Sequence, residues 1–228
     1  MEYRISRIIQ ESPRVRRFFL ETGRFEFVPG QFVVLTHPEL PEGENQRSYS
    51  IASVDSKQNE LELCIVLNER GVMTPWLFSK NEGDLLNISA AQGTFNLKND
   101  GNSGPVVFIA TGTGVAPFRS MIQETLNQGK SDVHLVFGNR VEQDILYREY
   151  WENLQKQNSN FHFYPVLSRE HANNCHFGYV HGVYELILRD QTDARIYVCG
   201  WKDMCVQARE NLKSLGFNRK QYAFEQYD

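Results

Sequence analysis

Apolar residues follow two different rhythms along this chain. Through residue 98 they come in short β-rich runs: EYRISRII, VRRFFLE, QFVVLTH, RSYSIAS, ELELCIVLN and LLNISAA. Turn signals at Pro29-Gly30, Pro41-Glu42-Gly43 and Glu82-Gly83-Asp84 separate them. LELCIVL alternates most regularly and sets Leu61, Leu63, Ile65 and Leu67 on one face. Strands this short and this close together predict a six-stranded antiparallel Greek-key β-barrel over residues 1–98, interrupted by one helix near MTPWLFSK. KNDGNSG, residues 98–104, reads as a linker. From residue 105 to 228 strand and helix alternate. VVFIA leads to a helix near Ala116–Asn127, VHLVFG to one near Ile145–Gln157, HFYPVLS to one near Val183–Arg189, and IYVCG to one near Lys202–Leu215. A strand at YAFEQ closes the chain. Repeated βα units predict a doubly wound parallel α/β domain.

Composition adds mainly exclusions. The 228 residues are 41% hydrophobic and 23% charged, an ordinary globular balance. A net charge of −4 without a dense Lys/Arg tract gives no footprint for nucleic acid. No apolar run approaches the roughly 20 residues that span a bilayer, and MEYRISRIIQES offers no signal-peptide core, so a cytoplasmic location is expected. The cysteines Cys64, Cys175, Cys199 and Cys205 form no C-x-x-C pair. Neither a zinc ribbon nor a plant-type iron–sulfur cluster follows from them, and no metal site is expected. Free thiols are expected, with Cys64 and Cys205 as packing residues.

Each candidate motif has a chemical and a plain reading. Arg47-Ser48-Tyr49-Ser50 ends a barrel strand. Tyr49 suits a half-buried strand aromatic, or a ring stacked on a flavin, with Ser50 at the reactive edge and Arg47 on a phosphate. Gly71-Val72-Met73-Thr74 is a turn into the lone helix, or a helix N-terminus that holds a pyrophosphate. Thr111-Gly112-Thr113-Gly114-Val115-Ala116-Pro117 joins the first strand and helix of the α/β half, where open sheets bind ligands. It serves as a glycine turn or as a nucleotide loop. Cys199-Gly200 ends the fourth strand and reads as a buried thiol, or as a polarisable group beside a nicotinamide. Ser168-Arg169, assisted by Arg140, suits a solvated loop or recognition of a ribose phosphate. Glu225-Gln226-Tyr227 is a terminus, or a carboxylate that relays protons and an aromatic that covers a planar cofactor.

Taken in order, these motifs resemble the ferredoxin–NADP reductase family over nearly the whole chain. The resemblance rests on RSYS, GVMT, TGTGVAPFRSM, LVFGNR with DILYREY, LSRE, YVCGWKDM and the closing Glu225-x-Tyr227. It implies an FAD-binding barrel followed by an NADP(H)-binding domain. Ser50, Cys199 and Glu225 match the residues that line the family's hydride-transfer site. Tyr227 matches its flavin-covering tyrosine, Ser168-Arg169 its 2′-phosphate pair, and Tyr179 in GYVH its adenine-stacking tyrosine. Two departures stand out: Asp228 follows the tyrosine, and CHFGY lacks the lysine that plant-type members place before Tyr179.

The resemblance implies a flavoenzyme that exchanges a hydride with NADP(H) and single electrons with a ferredoxin or flavodoxin. Arg14, Arg16 and Arg17 fit a docking face for such an acidic carrier, or a charged solvated edge strand. Two rivals remain: an NADH-dependent reductase for an oxygenase, cytochrome or free flavin, and a non-catalytic FAD electron-transfer subunit.

Overall fold

The structure, a computed structural model, describes residues 1–55, 59–98, 101, 103–129 and 132–227. Asn99, Asp100 and Asn102 of the expected linker lie outside the described residues, as does Asp228. Internal contacts divide the chain into two units. Met1–Leu97 with Ala116–Met121 forms the first, and Lys98–Val115 with Ile122–Asp228 the second.

The first unit carries β1 (Glu2–Ser12), β2 (Val15–Glu21), β3 (Phe32–Thr36), β4 (Gln46–Ser50), β5 (Glu60–Val66), α1 (Met73–Phe78) and β6 (Leu85–Ile88). The strands pair antiparallel in the order β4-β3-β6-β1-β2-β5. The ladder does not close as the expected barrel would. Among the described residues, Ile51, just past β4, bridges Leu63 of β5, and Ala52 N donates to the Glu62 carbonyl at 2.8 Å, so the sheet is barrel-like. Ile5, Phe18, Leu20, Val33, Leu35 and Leu63 fill its interior together with Leu77 of α1. β2 lies between β1 and β5, so the reading of VRRFFLE as an edge strand is corrected.

β5 also departs from simple alternation. Leu61 through Ile65 are all buried, Glu62 and Cys64 included. Glu62 is 5% exposed, and Arg119 supplies the reason: its Nη1 lies 2.5 Å from Glu62 Oε2 and donates to the Ala52 carbonyl at 2.7 Å. Arg17 Nε meets the other carboxylate oxygen at 2.6 Å, and its Nη1 reaches Glu11 at 3.1 Å. A buried carboxylate persists only when paired in this way.

Burial pushes the Glu62 carboxyl up, but Arg119 and Arg17 outweigh it and hold the group below its ordinary value of 4.5. A depressed native value contributes stability above the unfolded value and loses it as pH falls through the folded one. Acid titration of the wild type is therefore expected to show a stability loss below about pH 4.5 that Glu62→Gln flattens. Urea midpoints measured from pH 7 to pH 3 check this, and parallel curves for the two proteins would contradict it.

The second unit carries β7 (Val106–Thr111), α2 (Phe118–Asn127, its first turn grouped with the first unit), β8 (Val133–Asn139), α3 (Arg148–Gln157) and β9 (Phe161–Leu167). It continues with β10 (His176–Phe177), α4 (Val180–Leu188), β11 (Arg195–Trp201), α5 (Lys202–Ser214) and β12 (Tyr222–Tyr227). All pairs are parallel, in the order β10-β9-β8-β7-β11-β12. The order runs outward from β7 to β10, then resumes on the other side of β7 with β11. That reversal is a switch point, where the carboxyl ends of neighbouring strands leave a crevice. Val106–Ala110 are buried throughout, as expected for a central parallel strand covered on both faces.

Helix starts differ from the periodic reading. Pro117 precedes α2, so the helix begins at Phe118 rather than Ala116. α3 begins at Arg148 because Glu142–Asp144 form a 3-10 turn and Tyr147 adopts a left-handed φ of 56°. α4 starts three residues before Val183, and the short strand β10 carries no sequence period long enough to detect. Among the described residues, no helix is long and apolar enough to cross a membrane.

Candidate functional site

In the first unit, Arg47-Ser48-Tyr49-Ser50 occupies the edge strand β4. Its register places Ser48 opposite Val34, Tyr49 opposite Val33 and Ser50 opposite Phe32. Exposure falls along the motif: Arg47 and Ser48 are exposed, Tyr49 is half-buried and Ser50 is buried. Burial holds the Tyr49 phenol above its ordinary range, and the Arg47 charge opposes the shift only partly. The tyrosine is therefore a neutral, half-buried ring. Arg47 Nη1 donates to the Gln46 carbonyl at 2.6 Å and to the Glu44 carbonyl at 3.3 Å.

Gly71-Val72-Met73-Thr74 leads into α1 as expected. Val72 is 59% exposed at the N-cap, and no side chain caps the helix. Thr74 Oγ1 faces back into the preceding loop, accepting from Asn68 N at 2.8 Å and donating to Asn68 O at 3.1 Å. It fixes the turn and leaves the amides of the first helical turn without a side-chain partner.

In the second unit, the glycine loop is a 3-10 turn, Gly112–Val115, directly after β7. Its two glycines do different things. Gly112 has φ +53°, the left-handed region, and a Cβ there would meet nothing within 4 Å. Gly114 is packed hard: a Cβ would sit 2.4 Å from the Cys199 carbonyl oxygen and 2.7 Å from Gly200 Cα. Gly112 thus presents open space on its Cβ side, whereas Gly114 packs against the end of β11. Gly200 answers on the β11 side with φ +145°, where a Cβ would fall 2.2 Å from Thr111 Oγ1. Thr111 Oγ1 also accepts a bond from Trp201 N at 3.1 Å.

The register of β11 then assembles the remaining residues. Cys199 lies opposite Ala110 on one side and Glu225 on the other, while Trp201 lies opposite Tyr227. Cys199 is fully buried, and the Tyr227 side chain hydrogen-bonds its thiol. Burial drives the thiol well above the ordinary cysteine range, Glu225 adds to this and the Tyr227 bond opposes it. At neutral pH Cys199 is a protonated, polarisable group rather than a nucleophile. The structure therefore brings Thr111, Gly112, Thr113, Gly114, Cys199, Glu225 and Tyr227 to one rim of the parallel sheet. Trp201, 61% exposed on that rim, was not singled out in the sequence.

Further along the rim, the chain ends of β8 and β9 stay paired past the strands. Ser168 N donates to Asn139 O at 3.1 Å, and Arg169 N to Arg140 O at 2.9 Å. This places exposed Arg140 and Arg169 side by side in sequence-distant loops. Tyr179, 75% exposed, stands at the start of α4, tied nearby by the Gly178 N bond to Leu167 O at 2.8 Å.

The arginines at and just before β2 are more engaged than a docking face requires. Arg17 is held in the Glu11–Glu62 ion pairs, Arg16 Nη1 bonds the Phe78 carbonyl at 2.8 Å, and exposed Arg14 bonds the Leu67 carbonyl at 2.8 Å.

Comparison with known proteins agrees with this organisation. Residues 2–97 match the oxidoreductase FAD-binding domain and residues 108–210 the oxidoreductase NAD-binding domain. Ferredoxin–NADP reductase B of Sorangium cellulosum is 32% identical, covering 100% of this chain and 97% of that protein. The anthranilate 1,2-dioxygenase electron transfer component of Acinetobacter baylyi is 28% identical over 78% of this chain, which spans 51% of that longer protein. The structure of a ferredoxin NADP+ reductase from Neisseria gonorrhoeae with bound FAD and NADP superposes with a TM-score of 0.84 at 22% identity, covering 99% of this chain and 98% of that one.

Proposed function

Because the chain belongs to the ferredoxin–NADP reductase family of FAD- and NAD-binding oxidoreductases, we propose that it exchanges a hydride with NADP(H) through FAD and single electrons with a ferredoxin or flavodoxin in the cytoplasm. The observation that carries this reading is the rim of the second unit, where strand register sets Glu225 and Tyr227 beside the buried thiol of Cys199. FAD supplies the conversion of a two-electron donor into one-electron steps.

The residues fit both groups. In the first unit, neutral Tyr49 offers a ring face for stacking, Ser50 a hydroxyl for the flavin's reactive edge, and Arg47 and Ser48 polar contacts. The uncapped first turn of α1, with Gly71, Val72, Met73 and Thr74, suits a pyrophosphate because its amides lack a side-chain partner. In the second unit, Thr111, Gly112, Thr113 and Gly114 form the nucleotide loop, open at Gly112. Cys199 orients the nicotinamide as a neutral thiol, the Glu225 carboxylate relays protons at that rim, and Tyr227 covers a planar ring. Ser168, Arg169 and Arg140 take the 2′-phosphate, and Tyr179 stacks on the adenine.

Anaerobic titration of the purified protein tests this directly. NADPH is expected to bleach the flavin absorbance; a flavin unaffected by NADPH and by NADH would point to the non-catalytic FAD subunit. Arg169→Ala removes a charge-assisted contact worth about 1.5–3 kcal/mol, so KM for NADPH is expected to rise roughly 10- to 100-fold with little change for NADH. Steady-state kinetics with both nucleotides check it. Similarity to an oxygenase electron transfer component supports the alternative of a reductase that serves an oxygenase, and a wild-type preference for NADH over NADPH would favour the NADH-dependent form of that alternative.

A further inference from the structure

At the end of the parallel sheet away from the glycine loop, β8 and β9 start side by side, with His134 opposite His162. Residues directly across a ladder share a face of the sheet, and the two imidazoles stack with centroids 4.9 Å apart and planes 22° apart. Asp132, just before β8, reaches the same place: its Oδ1 lies 3.3 Å from His162 Nε2. One donor atom from each of the three lies within 4.8 Å of the others.

His134 is the unusual member. It is 8% exposed, yet its Nε2 is buried with no hydrogen-bond partner among the described residues. Its Nδ1 lies 3.3 Å from the Tyr164 hydroxyl, which orients the ring. A buried polar atom left unpaired costs about 1–3 kcal/mol and calls for an explanation. A neutral imidazole with a free lone pair is what a metal ion accepts.

We propose that Asp132, His134 and His162 form a binding site for a divalent transition-metal ion of the zinc class. Two imidazole nitrogens and one carboxylate oxygen suit such an ion, whereas magnesium and calcium prefer oxygen-only shells. Tetrahedral bonds of about 2.0–2.2 Å place donors about 3.4 Å apart. The present spread closes by rotation of His162 and Asp132, whose side chains are 37% and 58% exposed. That exposure also admits solvent to the remaining coordination position. Bound metal would clamp the first residues of β8 to those of β9. The ligands escape sequence inspection because they sit on separate strands, outside any short ligand spacing.

Calorimetric titration of the untagged holoenzyme, first treated with chelator, tests the site with Zn²⁺ and Mg²⁺. One Zn²⁺ per chain and no Mg²⁺ binding are expected. His162→Ala and Asp132→Asn should each weaken Zn²⁺ binding at least tenfold, and Cys175→Ser should leave it unchanged. The melting temperature should rise with Zn²⁺ in the wild type and stay flat in His162→Ala. Both ligand variants alter partly exposed side chains, and melting without metal confirms that they fold. Should His162→Ala fail to fold, Asp132→Asn decides alone. The proposal is overturned if wild type and ligand variants bind Zn²⁺ equally, if Cys175→Ser abolishes binding, or if no stoichiometric binding is seen.

Discussion

Arg119→Ala is expected to destabilise the protein by about 3–5 kcal/mol, because it leaves the Glu62 carboxylate buried without its closest countercharge. Both side chains of the pair are under a tenth exposed, at 8% and 6%, so neither water nor salt can substitute. The Ala52 carbonyl loses its donor in the same step. Arg17 remains on the other carboxylate oxygen, which sets the lower part of that range. Replacing both partners with apolar residues of similar volume should cost far less than removing Arg119 alone. Urea unfolding of the FAD-loaded protein, with the double variant alongside, measures the difference. A change below about 1 kcal/mol for Arg119→Ala, the scale of a surface pair, would refute the argument.

Gly114→Ala is expected to lower the rate of flavin reduction by NAD(P)H by about two orders of magnitude, the scale of a roughly 1 Å misplacement at a reacting site. The added methyl would collide with the backbone of Cys199 and Gly200, which cannot rotate away as a side chain would. Either the loop lifts or β11 shifts, and Cys199 moves relative to its neighbours in both cases. FAD content should stay near that of the wild type, since this change lies in the second unit. Gly200→Ala should be at least as damaging: it adds left-handed strain at φ +145° to a collision with Thr111 Oγ1 at 2.2 Å. Stopped-flow reduction together with flavin-to-protein ratios separates a slowed reaction from lost cofactor. Wild-type reduction rates in both variants would show that the tight contact does not position the site.

Much of this was readable in the residues. The change from short alternating runs to strand–helix alternation divided the chain into its sheet classes, and each βα motif fell at a strand's carboxyl end. What was not readable came from long-range partners. LELCIVL shows alternation, but nothing local says that Glu62 will be enclosed by an arginine far along the chain. The glycines of TGTG look equivalent in sequence; their division of labour appears only once β11 lies against the loop. Cys199 was legible as a strand-end thiol, whereas its neutrality depends on Glu225 and Tyr227 arriving in parallel register from the last strand. Closure of the barrel was overestimated because strand count says nothing about whether the edge strands share a continuous ladder.

The grouping of Ala116–Met121 with Met1–Leu97 has a practical consequence for anyone who exchanges parts among such enzymes. A crossover placed after residue 97, where the match to the FAD-binding domain stops, would transplant Glu62 and leave Arg119 behind. The recipient would then have to furnish a cation at the head of its own α2, or the chimaera would carry an orphaned carboxylate. Shuffling libraries should therefore inherit Glu62 and Arg119 from the same parent, although more than fifty residues of sequence separate them.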